Sequence, residues 1–410
     1  MGPEPVGVLV LGLLLGAALA LKALFARWSL PPPVAYLLVG LVYAAVRGGL
    51  ISEPGPALAR TEELLRLLGE MGLVVILFRI GLESDCSRLV ATLGRATPVW
   101  IANLLVSAAA GYAAGWALGY GTTVNLVLAT ALSATSVGIP AAIWQERGVL
   151  RSPPGELFVD VAELDDVSGI VILGILLAVL QHLGSDDDIT GIVLRQGGVS
   201  LLILVGIAGL ALVFSRWVRP HLMAALKAWE RGPDPAVSVV ALVLVVAALT
   251  AVAGLSLAIG AFVAGLALSP DRETCRGGSA FRTLYDTLVP FFFVAIAMQV
   301  HGAALSWAMV GTSGVVLVAA VGGKILGTTL PALPFVGLPT AVTLGMSMVP
   351  RAEITMIIAM AARDHIGDAL YAALVFTSLL TAIGASLLLP RLFTVLERRG
   401  AIHRDADAGS

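Results

Sequence analysis

Two adjacent carboxylates, Asp165 and Asp166, are the residues of this sequence best placed to do chemistry. They lie within the apolar run 161–180, which otherwise has the length and composition of a membrane-spanning helix. One ionised Asp at the centre of such a helix costs about 2.5–3.5 kcal/mol on insertion scales. A helix that begins near Gly155 would carry Asp165 about 15 Å inward, close to the membrane midplane. The pair therefore predicts a functional site that binds protons or cations.

Two other apolar segments combine helix breakers with polar side chains. These side chains are Ser133, Thr135 and Ser136 in 133–140, and Arg351 and Glu353 in 345–353. A broken helix exposes backbone groups and two half-dipoles at membrane depth, which is tolerated only where protein or a wet cavity satisfies them. Glu353 would begin a half-helix, where its charge offsets the positive end of the dipole. For either segment alone, a proline kink whose hydroxyls bond the preceding turn remains the alternative.

The elements that must position these residues follow from composition. Hydrophobic residues make up 58% of the chain and charged residues 13%, and the mean hydropathy is +0.95. A soluble domain has about 25% charged residues, so we expect an all-α polytopic membrane protein. About thirteen stretches can cross the membrane at ~20 residues each. They lie near 5–25, 33–50, 62–82, 98–119, 122–145, 156–181, 198–219, 235–254, 256–269, 284–301, 305–327, 335–361 and 367–393.

Charge asymmetry between the connecting segments predicts the orientation. Basic residues concentrate in alternate segments, which the positive-inside rule places in the cytoplasm. We therefore expect a multi-pass protein of the cell membrane with its N-terminus outside and its C-terminus in the cytoplasm. The first span has no basic leader and no clear cleavage site, so we interpret it as a retained helix and not a signal peptide.

The two breaker-containing segments occupy matching places in the two halves of the chain. Spans one to six and eight to thirteen would form two inverted six-helix repeats, joined by a linker span. Discontinuous helices at corresponding positions of inverted halves are typical of transporter binding sites. The sequence thus predicts two crossed discontinuous helices at the midplane.

Taken together in this order, six segments resemble the cation:proton antiporter superfamily. Within it they resemble the bacterial sodium/proton exchangers, in the branch similar to the monovalent cation:proton antiporter-2 family. The segments are 69–83, 134–138, 164–167, 260–265, 323–327 and 348–353. The resemblance implies a homodimer in membrane lipid, no cofactor and no nucleic-acid partner, and a transporter, not an enzyme. It also implies a mobile core that moves against a scaffold.

The chain divides accordingly. We expect scaffold helices in 1–97 and 234–303, core helices in 98–182 and 304–396, a linker in 183–233 and a cytoplasmic tail in 397–410.

The resemblance also assigns roles to individual residues. The paired aspartates of the family fall on Asp165 and Asp166, its core lysine on Lys324 and its broken-helix hydroxyl on Thr135. In similar proteins the second aspartate is a main ligand of the cation, here Na⁺, and the first pairs with the lysine. Burial and a like charge oppose ionisation of a carboxylate and a nearby ammonium favours it, so this trio can exchange protons near neutral pH. Hard oxygens from Asp165, Asp166, Thr135 and Ser136 suit an alkali cation.

Three charged residues depart from the family pattern. Asp160 and Glu163 stand where small or apolar residues are usual, and we interpret them as lining a cytoplasmic funnel that attracts cations. Pairing of these acids with Arg79 or Arg351 is the alternative. Arg79 itself replaces an apolar residue, and an ion pair with Glu83 one turn on explains it most simply.

Paired aspartates with Lys324 favour electrogenic exchange of two protons for one cation, by analogy with the family. The sequence does not rank Na⁺, Li⁺ and K⁺. A glutathione-gated potassium efflux system is an alternative, but it usually carries a glutamine before the aspartate and a nucleotide-binding domain that we do not expect here. A sodium-coupled organic-anion symporter would be repelled by the acidic pair. A non-transporting receptor would leave the intramembrane charges unexplained.

Overall fold

The computed structural model describes ten stretches of the chain and isolated positions between 198 and 221. The stretches are 5–28, 30–50, 56–83, 86–136, 138–150, 152–181, 236–252, 257–268, 279–300 and 307–398. Every regular element in this part of the chain is an α-helix. The predicted linker span at 198–219 lies largely outside the described residues, so the expected number of thirteen spans stays a prediction.

Fourteen helices are described. They are α1 (Pro5–Ala26), α2 (Pro32–Leu50), α3 (Pro56–Glu83), α4 (Cys86–Ala117), α5 (Thr122–Ser133), α6 (Gly138–Glu146), α7 (Pro153–Gln181), α8 (Ala236–Val252), α9 (Leu257–Leu268), α10 (Ser279–Ala297), α11 (Trp307–Val336), α12 (Leu338–Ser347), α13 (Glu353–Ala361) and α14 (Arg363–Arg398). Proline is the first residue of four of them, α1, α2, α3 and α7. That position suits proline, because its missing N–H needs no partner there and its φ is already helical.

Length and composition make five of the described helical segments able to cross a membrane. They are Gly7–Ala26, Gly94–Ala117, Thr122–Glu146, Met309–Val336 and Arg363–Arg398. Shorter apolar helices include Pro32–Gly48, Val239–Val252 and Ile259–Leu268. The structure therefore agrees with an all-helical polytopic membrane protein.

Several predicted spans differ from the helices observed. The span at 305–327 continues to Val336, and Pro331 and Pro334 lie within the extended helix α11. A membrane helix tolerates proline when neighbouring groups satisfy the carbonyls that it frees. The span at 335–361 divides into α12 and α13. The last span is longer than expected, and α14 is interrupted at Gly367, whose φ of 65° suits glycine.

The helices group into two compact units. The first unit contains α3, α8 and α9, with α1 up to Ala17, α7 from Ile170 onward and α10 up to Ala295. The second contains α2, α4, α5, α6 and α11–α14, with the remaining parts of α1, α7 and α10. Asp165, Lys324 and both interrupted segments all belong to the second unit.

Within the first unit, α3 and α9 pack through a pair of glycines. A Cβ atom on Gly81 would overlap the carbonyl oxygen of Phe262, and one on Gly265 would overlap that of Phe78. Backbones approach this closely only where side chains are absent, which is a common way of packing helices in membranes. The contact therefore depends on glycine at both positions.

We predict that Gly81→Ala destabilises the protein by about 1–3 kcal/mol, because the added methyl overpacks the contact between α3 and α9. Thermal unfolding of the detergent-solubilised protein measures the change. Gly16→Ala is the matched control, since a Cβ atom there meets nothing within 4 Å. An unchanged midpoint for Gly81→Ala would contradict the close packing.

Candidate functional site

The site is built around the C-terminal end of α5, where the helix stops at Ser133 in the interior of the second unit. The last carbonyl groups of a helix have no partner within it and form the negative end of its dipole. Arg351 supplies donors for two of them: its Nη1 donates to the oxygens of Ala131 at 3.2 Å and Ala134 at 2.8 Å. Its Nη2 donates to the oxygen of Ala320 on α11 at 3.1 Å. The fully buried guanidinium thus caps a helix end.

Lys324 supplies a second buried cation at the same end of α5. Its Nζ donates to the carbonyl oxygen of Ser133 at 2.5 Å. The same atom lies 3.3 Å from both carboxylate oxygens of Asp165. Both side chains of this ion pair are fully buried. A buried pair of this kind is stable only when further hydrogen bonds compensate for lost hydration, and here the carbonyl group provides one.

The two interrupted segments meet directly. The backbone N–H of Ser136 donates to the carbonyl oxygen of Pro350 at 2.8 Å. Its hydroxyl donates to Oε2 of Glu353 at 2.7 Å, and Glu353 is the first residue of α13. Two residues farther along, the hydroxyl of Thr355 donates to the oxygen of Ala131 at 3.0 Å. Each break therefore satisfies backbone groups of the other, as helices interrupted at membrane depth require.

Asp165 has a second partner that the sequence interpretation missed. Nδ2 of Asn103 on α4 donates to Oδ1 of Asp165 at 2.8 Å. The amide oxygen of Asn103 accepts from the Thr328 hydroxyl at 3.2 Å. Both polar side chains are buried. An amide inside the apolar run 101–106 was the available signal, because a buried amide without a partner is costly in a membrane.

Of the other predicted ligands, Thr135 is buried, and its Oγ1 has no hydrogen-bond partner among the described residues. Asp166 is half-buried on α7. Consecutive helical residues point about 100° apart, so Asp166 faces a different direction from Asp165. The carboxylate of Asp166 and the hydroxyl of Thr135 are hard oxygen donors of the type that alkali cations prefer.

The three departures from the family pattern fall in different places. Asp160 and Glu163 are half-buried on α7 before the aspartate pair. Arg351 donates to the backbone carbonyls described above, and the pairing of Asp160 and Glu163 stays a prediction. Arg79 lies in the first unit, with its guanidinium carbon 4.6 Å from the ring centroid of Tyr285. The side chain of Glu83, its predicted partner, is outside the described part of the structure.

Comparison with known proteins decides the family. The model of the transmembrane sodium/hydrogen exchanger family matches residues 10–395, nearly the whole chain. The chain belongs to the sodium/hydrogen exchanger family. This confirms the superfamily resemblance found from the six segments.

Individual exchangers are similar over most of their length. The high-affinity Na⁺/H⁺ antiporter NhaS3 of Synechocystis is 25% identical over 87% of this chain and 77% of its own. The Na⁺/H⁺-K⁺ antiporter GerN of Bacillus cereus is 25% identical over 90% and 89%, respectively. The solved structure of the sodium proton antiporter MjNhaP1 from Methanocaldococcus jannaschii matches with a TM-score of 0.67 and 16% identity, over 93% and 98%. This chain therefore has the same fold as MjNhaP1.

We predict that Arg351→Met lowers the thermal stability of the solubilised exchanger by about 3 kcal/mol or more, because buried carbonyl groups lose their charged donor. Arg147→Met is the control. Arg147 is also charged and bonded, to Glu397 and the carbonyl of Pro390, but is 28% exposed, so its loss should cost about 1 kcal/mol. Equal unfolding midpoints for the two variants would contradict the capping role of Arg351.

Proposed function

We propose that this protein is a secondary active antiporter that exchanges a monovalent cation for protons across the membrane. The observation that carries the proposal is the buried ion pair of Asp165 and Lys324 at the crossing of two interrupted helices. Intramembrane charges are expensive and mark ion pathways. The relatives named as antiporters support the same activity.

Na⁺ is the favoured cation, with Li⁺ and K⁺ as the alternatives. Two relatives, from Synechocystis and Enterococcus hirae, are named as Na⁺/H⁺ antiporters, and the name of GerN adds K⁺. Asp166 is the main ligand in this proposal, and the hydroxyl of Thr135 and nearby backbone carbonyls complete the site. Ser136 contributes at its edge, since its hydroxyl already has a partner. Asp165 takes part through its charge and its ion pair with Lys324.

Exchange is obligatory if cation and protons compete for the same carboxylates. A proton on Asp166 removes the charge that holds the cation, and a bound cation opposes protonation. With Asp165 and Lys324 as further participants, two protons would move for each cation, and one net charge would cross the membrane. Glu353 and Arg351 act as supporting charges that hold the crossing together.

Alternating access would come from movement of the core against a dimeric scaffold. The proposal places the core in 98–182 and 304–396 and the scaffold in 1–97 and 234–303. The two halves would be inverted repeats, with the N-terminus outside and the C-terminus in the cytoplasm. Asp160 and Glu163 would draw cations toward the site from the cytoplasm.

We predict that Na⁺ added to proteoliposomes collapses a preset pH gradient, and that Asp166→Asn abolishes this collapse by removing the main ligand. Li⁺ and K⁺ are tested in parallel with the membrane potential clamped. Asp364→Asn, at an exposed position in α14, is the control and should retain the wild-type rate. No collapse with any of the three cations between about pH 6 and pH 9, in folded dimeric protein, would refute antiport.

We predict further that an imposed membrane potential drives the exchange. One net charge per cycle shifts the equilibrium cation ratio about 50-fold per 100 mV. Uptake of labelled Na⁺ at a series of imposed potentials measures this shift. Lys324→Arg should lose the voltage dependence while retaining exchange, since guanidinium stays protonated. Retained voltage dependence in that variant would rule out a role for Lys324 in charge movement.

A further inference from the structure

The helices α4 and α11 approach each other unusually closely beside Asp165. A Cβ atom on Gly327 would lie 3.0 Å from Cα of Asn103, and one on Gly323 would lie 3.0 Å from Cα of Ser107. Glycines one turn apart allow two helix backbones to touch in this way. The contact brings the short side chain of Asn103 to the carboxylate that Lys324 also binds.

The amide of Asn103 is held in one orientation. Its Nδ2 donates to Asp165 and its Oδ1 accepts from Thr328, and all three side chains are buried. Rotation of the amide by half a turn would point its oxygen at a carboxylate oxygen, and the two would repel. The Thr328 hydroxyl further stabilises the observed orientation.

The carboxylate of Asp165 is therefore occupied from two sides. Oδ1 accepts from Asn103 at 2.8 Å and lies 3.3 Å from Nζ of Lys324, which is also 3.3 Å from Oδ2. The contact with the neutral amide is the shorter. Two other charged groups, Arg351 and Asp166, interact electrostatically with this ion pair. The end of α5 faces the pair with neutral groups, among them the carbonyl of Ser133.

We propose that Asn103 is a positioning residue that keeps Asp165 from becoming a second carboxylate ligand of the transported cation. This inference rests on the proposed exchange function. Carboxylate oxygens are hard donors of the kind that alkali ions prefer, and the Oδ1 lone pair that accepts from Asn103 is not available to a cation. With Asn103 in place, Asp165 is committed to neutral and charged donors, and the cation meets one carboxylate, that of Asp166. The cation then binds weakly enough to leave on the opposite side of the membrane.

Asn103→Leu is the first test, since it removes the donor with little change of shape. The loss of a hydrogen bond to a charged group should tighten Na⁺ binding about ten- to a hundredfold. In transport at alkaline pH, where protons compete least, KM for Na⁺ should fall and kcat should fall with it. Weaker folding alone would lower kcat through loss of active protein and would leave KM unchanged.

Thr328 provides a conservative pair of variants. Thr328→Val removes the hydroxyl that orients the amide and should shift KM in the same direction by a smaller factor. Thr328→Ser keeps the hydroxyl and should restore the wild-type KM. Ser107→Ala is the matched control on α4, because the buried Ser107 hydroxyl has no hydrogen-bond partner within the described residues. It should leave KM and kcat unchanged.

Na⁺ affinity of the solubilised protein is measured separately, from the rise of the unfolding midpoint with Na⁺ concentration, with choline as the inert cation. Tighter binding by Asn103→Leu supports the inference even before transport is measured. The inference is overturned if Asn103→Leu binds Na⁺ equally or more weakly than the wild-type protein, or if neither protein binds Na⁺. It is also overturned if KM is unchanged in both Asn103→Leu and Thr328→Val. Failure of the wild-type protein to exchange Na⁺ for protons would instead refute the proposed function.

Discussion

The structure of the site depends on one constraint, the unpaired carbonyl groups where α5 ends inside the protein. Water is not available to satisfy them at membrane depth, and each unsatisfied group would cost several kcal/mol. Lys324 and Arg351 solve this problem with two buried cations that donate to Ser133, Ala131 and Ala134. The interruption of the helix thus creates the need for positive charge in the core.

Two cations in turn require negative charge nearby. Asp165, which pairs with Lys324, is buried, and Glu353 and Asp166 are half-buried. The charge of Asp165 is balanced by Lys324. The two half-buried carboxylates, those of Glu353 and Asp166, are closer to solvent and can interact with incoming ions. In the proposed exchange, the same charges that make the broken helix stable create the place where protons and cations compete.

Much of this arrangement could be predicted from the sequence, because charges and helix breakers in apolar runs have few explanations. The interruptions at 133–140 and 345–353 were evident, and the family resemblance supplied the pairing of Asp165 with Lys324, which the structure contains. Neutral polar residues were missed, since a single amide such as Asn103 resembles a tolerated polar residue in a span. The carbonyl acceptors of Arg351 were also missed, because a sequence displays side chains but not the backbone groups that a helix end leaves unpaired.

The position of Lys324 shows how the crossing can stay assembled while its charge changes. Its contact with the carbonyl of Ser133 is shorter than its contacts with Asp165. If Asp165 becomes neutral, the ion pair weakens, but the ammonium keeps its carbonyl acceptor and Arg351 keeps its own. The backbone of the crossing is then satisfied in either charge state. The proposed exchange requires this property, because a site that lost its structure when neutralised would leak ions and not exchange them.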